Sequence, residues 1–282
     1  MEKKVLSEMF DNLLHIGNKS NYWNPKAKDY IYASVNGIHV INLVKTAEKL
    51  AKVKADLEEA TKAGKKVLIV ATKLQVKDAF VKLAIDTGSS YVSEKWVPGL
   101  LTNFKTIKKR IATYLKLLED SNSGALDILT KKEKAVKMLE LEKLDKSYRG
   151  LKDLKGLPDI VFVVDGVFET QALKEAKTLG ITSYEIINTN GDIDMASDFI
   201  VANTNSTKSM DYLAAQFTSS IVKGVRKENS QVIKKMGESD NTPKVTTFTK
   251  KVEVKTEEKV EAPKAKAPKK EKVEVVAEQT EA

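Results

Sequence analysis

Ile160-Val-Phe-Val-Val164, closed by Asp165-Gly166, has a counterpart in Val67-Leu-Ile-Val-Ala71. Both runs are short, apolar without alternation, and rich in β-branched residues. A strand with one wet face would alternate; an unbroken run of this length marks a strand covered on both faces, as in the interior of a parallel sheet. Neither run approaches the roughly eighteen apolar residues of a membrane span. Working outward, helical patterns lie on either side of each run. Residues Val44–Ala63 place Leu50, Val53, Leu57 and Ala60 at helical spacing, with Gly64 as the stop. Gln75–Ile85 and Thr170–Leu179 read as helices, and Thr207–Lys227 as a closing helix with Ser206 as its N-cap. Ser90–Ser93 has edge-strand quality, and Ser183–Ile187 and Phe199–Val201 are further strands. The chain opens with a helix over Ser7–His15. Tyr30–Ala33 and His39–Leu43 then flank Asn36-Gly37, whose tolerance of positive φ suits a tight hairpin. Strands alternating with amphipathic helices predict an α/β fold with a doubly wound parallel sheet.

One stretch breaks the alternation. From Thr102 to Leu151 two helical patterns follow each other with no strand between them. The first sets Ile107, Ile111, Leu115 and Leu118 on one stripe. The second starts at Thr130-Lys-Lys-Glu133, a capping box, and continues with Leu141, Leu144, Tyr148 and Leu151 at coiled-coil spacing. Ser121–Gly124 supplies the turn. The expectation is a protruding antiparallel helical hairpin at 102–151, inserted in an α/β domain of residues 1–230.

Residues 231–282 read differently. They contain no leucine, three of the six prolines and 22 charged side chains, too little apolar surface to offset chain entropy, and are expected to form a disordered tail. Of 282 residues, 48 are Lys or Arg and 39 Asp or Glu, a net charge of +9. Residues 1–150 carry 28 basic and 18 acidic side chains, whereas residues 151–230 carry 8 and 11. This asymmetry points one end of the folded part at a polyanion, nucleic acid first among them, against the plainer alternative of a general lysine bias. The absence of cysteine excludes disulfide frameworks, thiolate metal sites and thiol catalysis. Two histidines, His15 and His39, are too few for a multi-histidine metal site.

No G-x-G-x-x-G and no G-x-x-x-x-G-K-[ST] occurs. Asp165 ends a strand where ligand-binding acids sit in open α/β sheets, but its carboxylate also suits a cap on the following turn. An enzyme or phosphate-binding alternative would centre on Thr72, Asp165 and Asn188. Asn188-Thr-Asn-Gly-Asp192 with Asp194 lacks EF-hand spacing and reads as a polar turn. Neither a cofactor nor a metal is expected. The nucleic-acid features are denser. Lys105, Lys108, Lys109 and Arg110 crowd the first hairpin helix, and Lys131 and Lys132 open the second. Tyr22 and Trp23 lie among Lys19, Lys26 and Lys28, joining stacking surfaces to cations. Asn36 and His39 on the small hairpin, Lys95, and Asn103 complete the RNA-contact candidates. An ordinary solvated helix face and a core role for Trp23 are the competing readings.

At these residues the chain resembles the bacterial small-subunit ribosomal proteins of the S-two family. The resemblance rests on His15-Ile-Gly17, Trp23-Asn-Pro25, Asn36-Gly-Ile-His-Val-Ile-Asn-Leu43, Gly99-Leu-Leu-Thr-Asn103, Leu141-Glu-Lys-Leu144, Gly156-Leu-Pro-Asp159 and Asn188-Thr-Asn190, in order over about residues 5–228. Departures are Asn18–Tyr22, where the family commonly has a second histidine and basic residues, and Trp96-Val-Pro-Gly99 in place of Trp-Leu-Gly-Gly. The resemblance implies a flavodoxin-like sheet with a long helical hairpin and a non-catalytic role in the cytoplasmic ribosome. It implies small-subunit ribosomal RNA, ribosomal protein S-one and neighbouring small-subunit proteins as partners, with no membrane and no homo-oligomer.

Overall fold

The computed structural model describes residues 3–221. The expected tail and the last turns of the closing helix lie outside the described residues. Helix α1 (Lys3–Asp11) begins and ends earlier than its apolar pattern suggests, since Leu13 turns the chain at φ 60°. Strands β1 (Ile16–Lys19), β2 (Ile31–Val35) and β3 (Ile38–Ile41) form an antiparallel sheet in the order β1-β3-β2. Asn36 at φ 51° and Gly37 at φ 75° make the two-residue turn their identities predict. Strand β1 has no strand-like sequence. It exists because Ile16 and Lys19 pair with Val40 and Ile38 of β3, a register no local pattern displays. Gly17 in that strand is required by close approach, for a Cβ there would lie 2.8 Å from the His39 carbonyl oxygen and from Thr189 Cγ2.

The second sheet carries the fold. Strands β4 (Val67–Val70), β5 (Ser90–Val92), β6 (Ile160–Val164), β7 (Thr182–Ile187) and β8 (Asp198–Val201) are all parallel, in the order β5-β4-β6-β7-β8. Counted within that sheet, the order is 2-1-3-4-5, the flavodoxin-like winding. The two apolar runs form its centre, and their residues divide between two cores. Val67, Ile69, Ile160, Phe162 and Val164 face one side, where they meet Leu50, Val53 and Leu57 of α2 (Leu43–Lys62), Val76, Phe80 and Leu83 of α3 (Leu74–Thr87), and Leu213 and Phe217 of the helix at 207–221, α7. Leu68, Val70, Val161 and Val163 face the other, against Ala172, Leu173 and Ala176 of α6 (Thr170–Thr178) and the root of the helical hairpin. Each fully buried aliphatic side chain contributes roughly 1.5–3 kcal/mol by leaving water.

The hairpin is α4 (Phe104–Asn122) and α5 (Lys131–Tyr148). Tyr114 bonds Asp145 at 2.5 Å and Ser121 meets Met138, so the helices run antiparallel. Its seam differs from the expected stripe. Ile107 and Ile111 are buried as expected, but Tyr114 and Leu117 fill the next two turns, and Leu115 is turned to solvent. Tyr114 takes an interior place because its ring is apolar and its hydroxyl reaches the Asp145 carboxylate, an option that counting aliphatic residues overlooks. The Thr130–Glu133 capping box forms at the start of α5. From Lys131 to Leu139 α5 is exposed throughout, so only the half of the hairpin near the sheet shares its core.

Candidate nucleic-acid interface

The candidates fall into two groups at opposite edges of the parallel sheet. The N-terminal sheet belongs to the β7–β8 side. Ile41 packs with Ile187 and Val201, the Asn24 amide donates to the Thr189 carbonyl at 2.9 Å, and the Asn18 amide donates to Thr189 Oγ1 at 3.1 Å. The hairpin belongs to the β5 side, where Gly150, just past α5, lies against Tyr91. Four strand spacings of about 4.8 Å separate these edges, roughly 19 Å.

In the first group Lys19, Lys28 and Asn36 are exposed. Tyr22 is 70% and Trp23 39% exposed, leaving aromatic surface open for stacking. Two members differ from the expectation. His39 is turned inward, because the alternation of β3 buries His39 and Ile41 together; its ring lies beneath Trp23 at a centroid distance of 5.6 Å, and both ring nitrogens are buried without a partner. Lys26 is already occupied. Its ammonium lies 2.9 Å from Asp192 and 2.6 Å from Asp194, and these bonds raise its pKa. The polar turn after β7 therefore clamps the aromatic loop in place. Asn24 caps the short 3-10 helix at Pro25–Tyr30 through the Lys26 amide.

In the second group Lys95, Asn103, Lys105, Lys108, Lys109, Arg110, Lys131 and Lys132 are all exposed. Among the described residues, none of the lysines nor Arg110 has an ion-pair partner. Their position on the helices is informative. A helix N-terminus carries about half a positive charge, and a cation there costs about 0.3–1 kcal/mol unless an anion offsets it. Helix α4 has no acid in its first turn, and Asn103 at its N-cap makes no side-chain capping bond. Lys105 thus stands where the helix disfavours it, with Lys108 and Lys109 one turn further on. A phosphate placed against these turns would relieve that conflict.

The strand C-terminal ends, site of the enzyme alternative, hold a different arrangement. The crevice beyond β4 and β6 is where open α/β sheets take ligands. Here Lys73 reaches Asp165 at 2.7 Å and Asn205 at 2.6 Å, Thr204 donates to the same Asp165 oxygen at 3.1 Å, and Thr72 donates to Glu169. The Asp165 carboxylate does not cap the following turn as expected. Its carbonyl accepts the Phe168 and Glu169 amides, while the side chain answers Lys73, with the backbone at φ 65°. Asn188 is buried, and its Oδ1 accepts the Thr189 amide. Thr72, Lys73 and Asp165 are thus engaged within the chain, while Asn188 Nδ2 is buried without a partner. Among the described residues no group of three or more His, Cys, Asp or Glu is arranged to hold a metal, and His15 stacks on Phe10 at 4.2 Å.

A family model described as ribosomal protein S2 matches residues 9–224. The chain belongs to the ribosomal protein S2 family. The matched span takes in both edge surfaces and the whole parallel sheet, and ends just beyond the last described residue of α7. Similar curated proteins include small ribosomal subunit protein uS2 of Coprothermobacter proteolyticus, 40% identical over 220 residues, covering 78% of this chain and 82% of that protein. Protein uS2c of Mesostigma viride is 40% identical over 226 residues, covering 80% and 99%. Protein uS2 of Prochlorococcus marinus strain MIT 9515 is 38% identical over 226 residues, covering 80% and 97%. S2 proteins are ribosomal components, not enzymes. No helix among the described residues is long and apolar enough to cross a membrane.

One residue of consequence escaped the sequence reading. Glu175 lies on the buried face of α6 beside Ala172 and Ala176, at 3% exposure. Its carboxylate accepts from Trp96 Nε1 at 3.1 Å and from the amides of Gly99 at 2.8 Å, Leu101 at 3.0 Å and Thr102 at 3.3 Å. Burial pushes its pKa up, yet these donors together hold it below the usual carboxylate range. The signal was present in the sequence, as an acid on the apolar stripe of a helix. A buried acid needs a partner.

Proposed function

We propose that this chain is a structural component of the small ribosomal subunit that binds small-subunit ribosomal RNA through two surfaces: the N-terminal aromatic loop and the cationic turns of the helical hairpin. The observation that carries this reading is the set of exposed cations on the first two turns of α4, without described acidic partners and opening with Lys105 against the helix dipole. Phosphate is the anion such a surface fits, and neutralising it releases counterions. The exposed rings of Tyr22 and Trp23 add a surface for unpaired bases. The names of the relatives, all small ribosomal subunit proteins, support the assignment.

Two finer statements belong to the same proposal. The chain acts as a single copy in the cytoplasmic ribosome, and it helps recruit the large protein S-one; the family resemblance supports both. Cosedimentation with small subunits depleted of this protein, across a salt series, tests the central reading. Stoichiometric binding that weakens steeply with salt is expected, and a salt-independent free monomer would overturn it. Adding purified S-one with and without this chain tests recruitment, and equal S-one retention in both would refute that part.

A further inference from the structure

We infer that Glu175 is a positioning residue for RNA binding: its buried carboxylate holds the loop Trp96–Asn103, and through it the cationic first turns of α4, in the place where they meet phosphate. The inference rests on the RNA-binding reading above and goes beyond it, because Glu175 touches no RNA.

The loop's amides show the dependence. Between Gly99 and Asn103 every backbone N–H is used. Leu100 donates to the Val97 carbonyl at 3.0 Å and Asn103 to the Gly99 carbonyl at 2.8 Å, within the loop. The remaining three, Gly99, Leu101 and Thr102, all donate to Glu175. The Thr102 hydroxyl adds a bond at 3.3 Å, and Gln171 on the same helix one at 3.4 Å. The Trp96 indole ties the start of the loop to the same carboxylate, 3.1 Å away, and buries its ring in the core beneath. Every donor in this set is neutral, so salt does not screen the arrangement as it screens surface ion pairs. The loop leads directly to Asn103 and Lys105. Glu175 also places a full negative charge on amides one and two residues before the α4 N-cap, where the helix lacks an acid of its own.

A neutral amide at this position would keep the size and reverse the bonding. One oxygen can still accept, but the NH2 group would face backbone donors. The experiment measures equilibrium binding of the full chain to in vitro-transcribed small-subunit ribosomal RNA at 25 °C across a salt series. It compares wild type, E175Q, the double variant K105Q/K108Q, and the three substitutions together, with circular dichroism and thermal melts confirming each fold. E175Q is expected to bind about tenfold more weakly with a shallower salt slope, and to add less than about twofold to the loss in K105Q/K108Q. A residue that only supported stability would leave binding unchanged below the melting temperature. Binding by E175Q equal to wild type, or losses that multiply in the triple variant, would overturn the positioning role. If wild type binds but K105Q/K108Q is undiminished, the RNA reading of α4 fails, and the role of Glu175 fails with it. Should E175Q not fold, W96F removes one donor and keeps the packing. It is expected to bind about threefold more weakly, with no further loss in the K105Q/K108Q background. Unchanged binding by W96F in that case would also reject the inference.

Discussion

Two lysines beside the C-terminal ends of the parallel strands and the lysines at the hairpin root are treated in opposite ways. Lys73 is answered from within the chain by Asp165, and Lys26 by Asp192 and Asp194. At the root Lys105, Lys108, Lys109 and Arg110 stand exposed without a described acidic partner, and the helix they begin offers no first-turn acid. The first arrangement spends its charge on the fold. The second leaves charge available to something outside.

The sharpest way to break the contrast is to remove the root cations together. K105Q/K108Q/K109Q/R110Q should lower affinity for small-subunit ribosomal RNA by roughly 100-fold or more, reducing the salt slope by about 0.7–0.9 per lost phosphate contact, in filter-binding titrations. Its urea midpoint should stay near that of wild type. D165N should do the reverse. Asparagine tolerates the positive φ at this position, so the substitution isolates the loss of charge opposite Lys73. Because the pair is mostly buried, a loss of about 2–3 kcal/mol in urea unfolding is expected, with RNA affinity unaltered.

A pH series sharpens the same comparison through two buried acids. Glu185 lies in β7 with Oε1 unpartnered, and burial, aided by the charges of Asp192 and Asp165, pushes its pKa up to about 8. The folded form keeps this proton to higher pH than the unfolded chain. The stability it contributes is therefore complete below the ordinary carboxylate range and is lost as pH rises toward 8. E185Q should remove that decline, seen as a flatter profile of unfolding free energy between pH 5 and 8.5. Glu175 has the opposite sign. Its lowered pKa gives stability that is present above the ordinary value and lost as pH falls through the folded one.

Smaller effects test the edges of the picture. T130A, which removes the hydroxyl of the α5 capping box, should lower thermal stability by about 1 kcal/mol. K26Q should weaken RNA binding less than K28Q does, since Lys26 is engaged by two aspartates and Lys28 is exposed. The exposed Lys26 pairs should contribute little to stability in a double-mutant cycle with D192N. An equal loss of RNA affinity from K26Q and K28Q would blur the division between internal and available cations.

Much of the fold was legible because the signals are local. The unbroken runs at 67–71 and 160–164, the Asn36-Gly37 turn and the Thr130–Glu133 box each have a short-range cause, and each appears where expected. The failures share a different origin. Strand β1 exists only through pairing with β3, Tyr114 is interior only because Asp145 faces it, and Lys26 is engaged only because the turn after β7 brings Asp192 and Asp194 to it. His39 lay within reach, since strand alternation alone places it with Ile41 on the inner face.

The sequence by itself determined the parallel α/β architecture, the inserted hairpin, the uneven charge and the family, because hydrophobic period, capping and composition act over a few residues at a time. Only the tertiary structure decided which cations remain free, which acids are held ionised and which keep their protons. Those outcomes depend on burial and on partners tens to more than a hundred residues away, such as Lys26 with Asp192 and Glu175 with Gly99. No local pattern encodes such meetings.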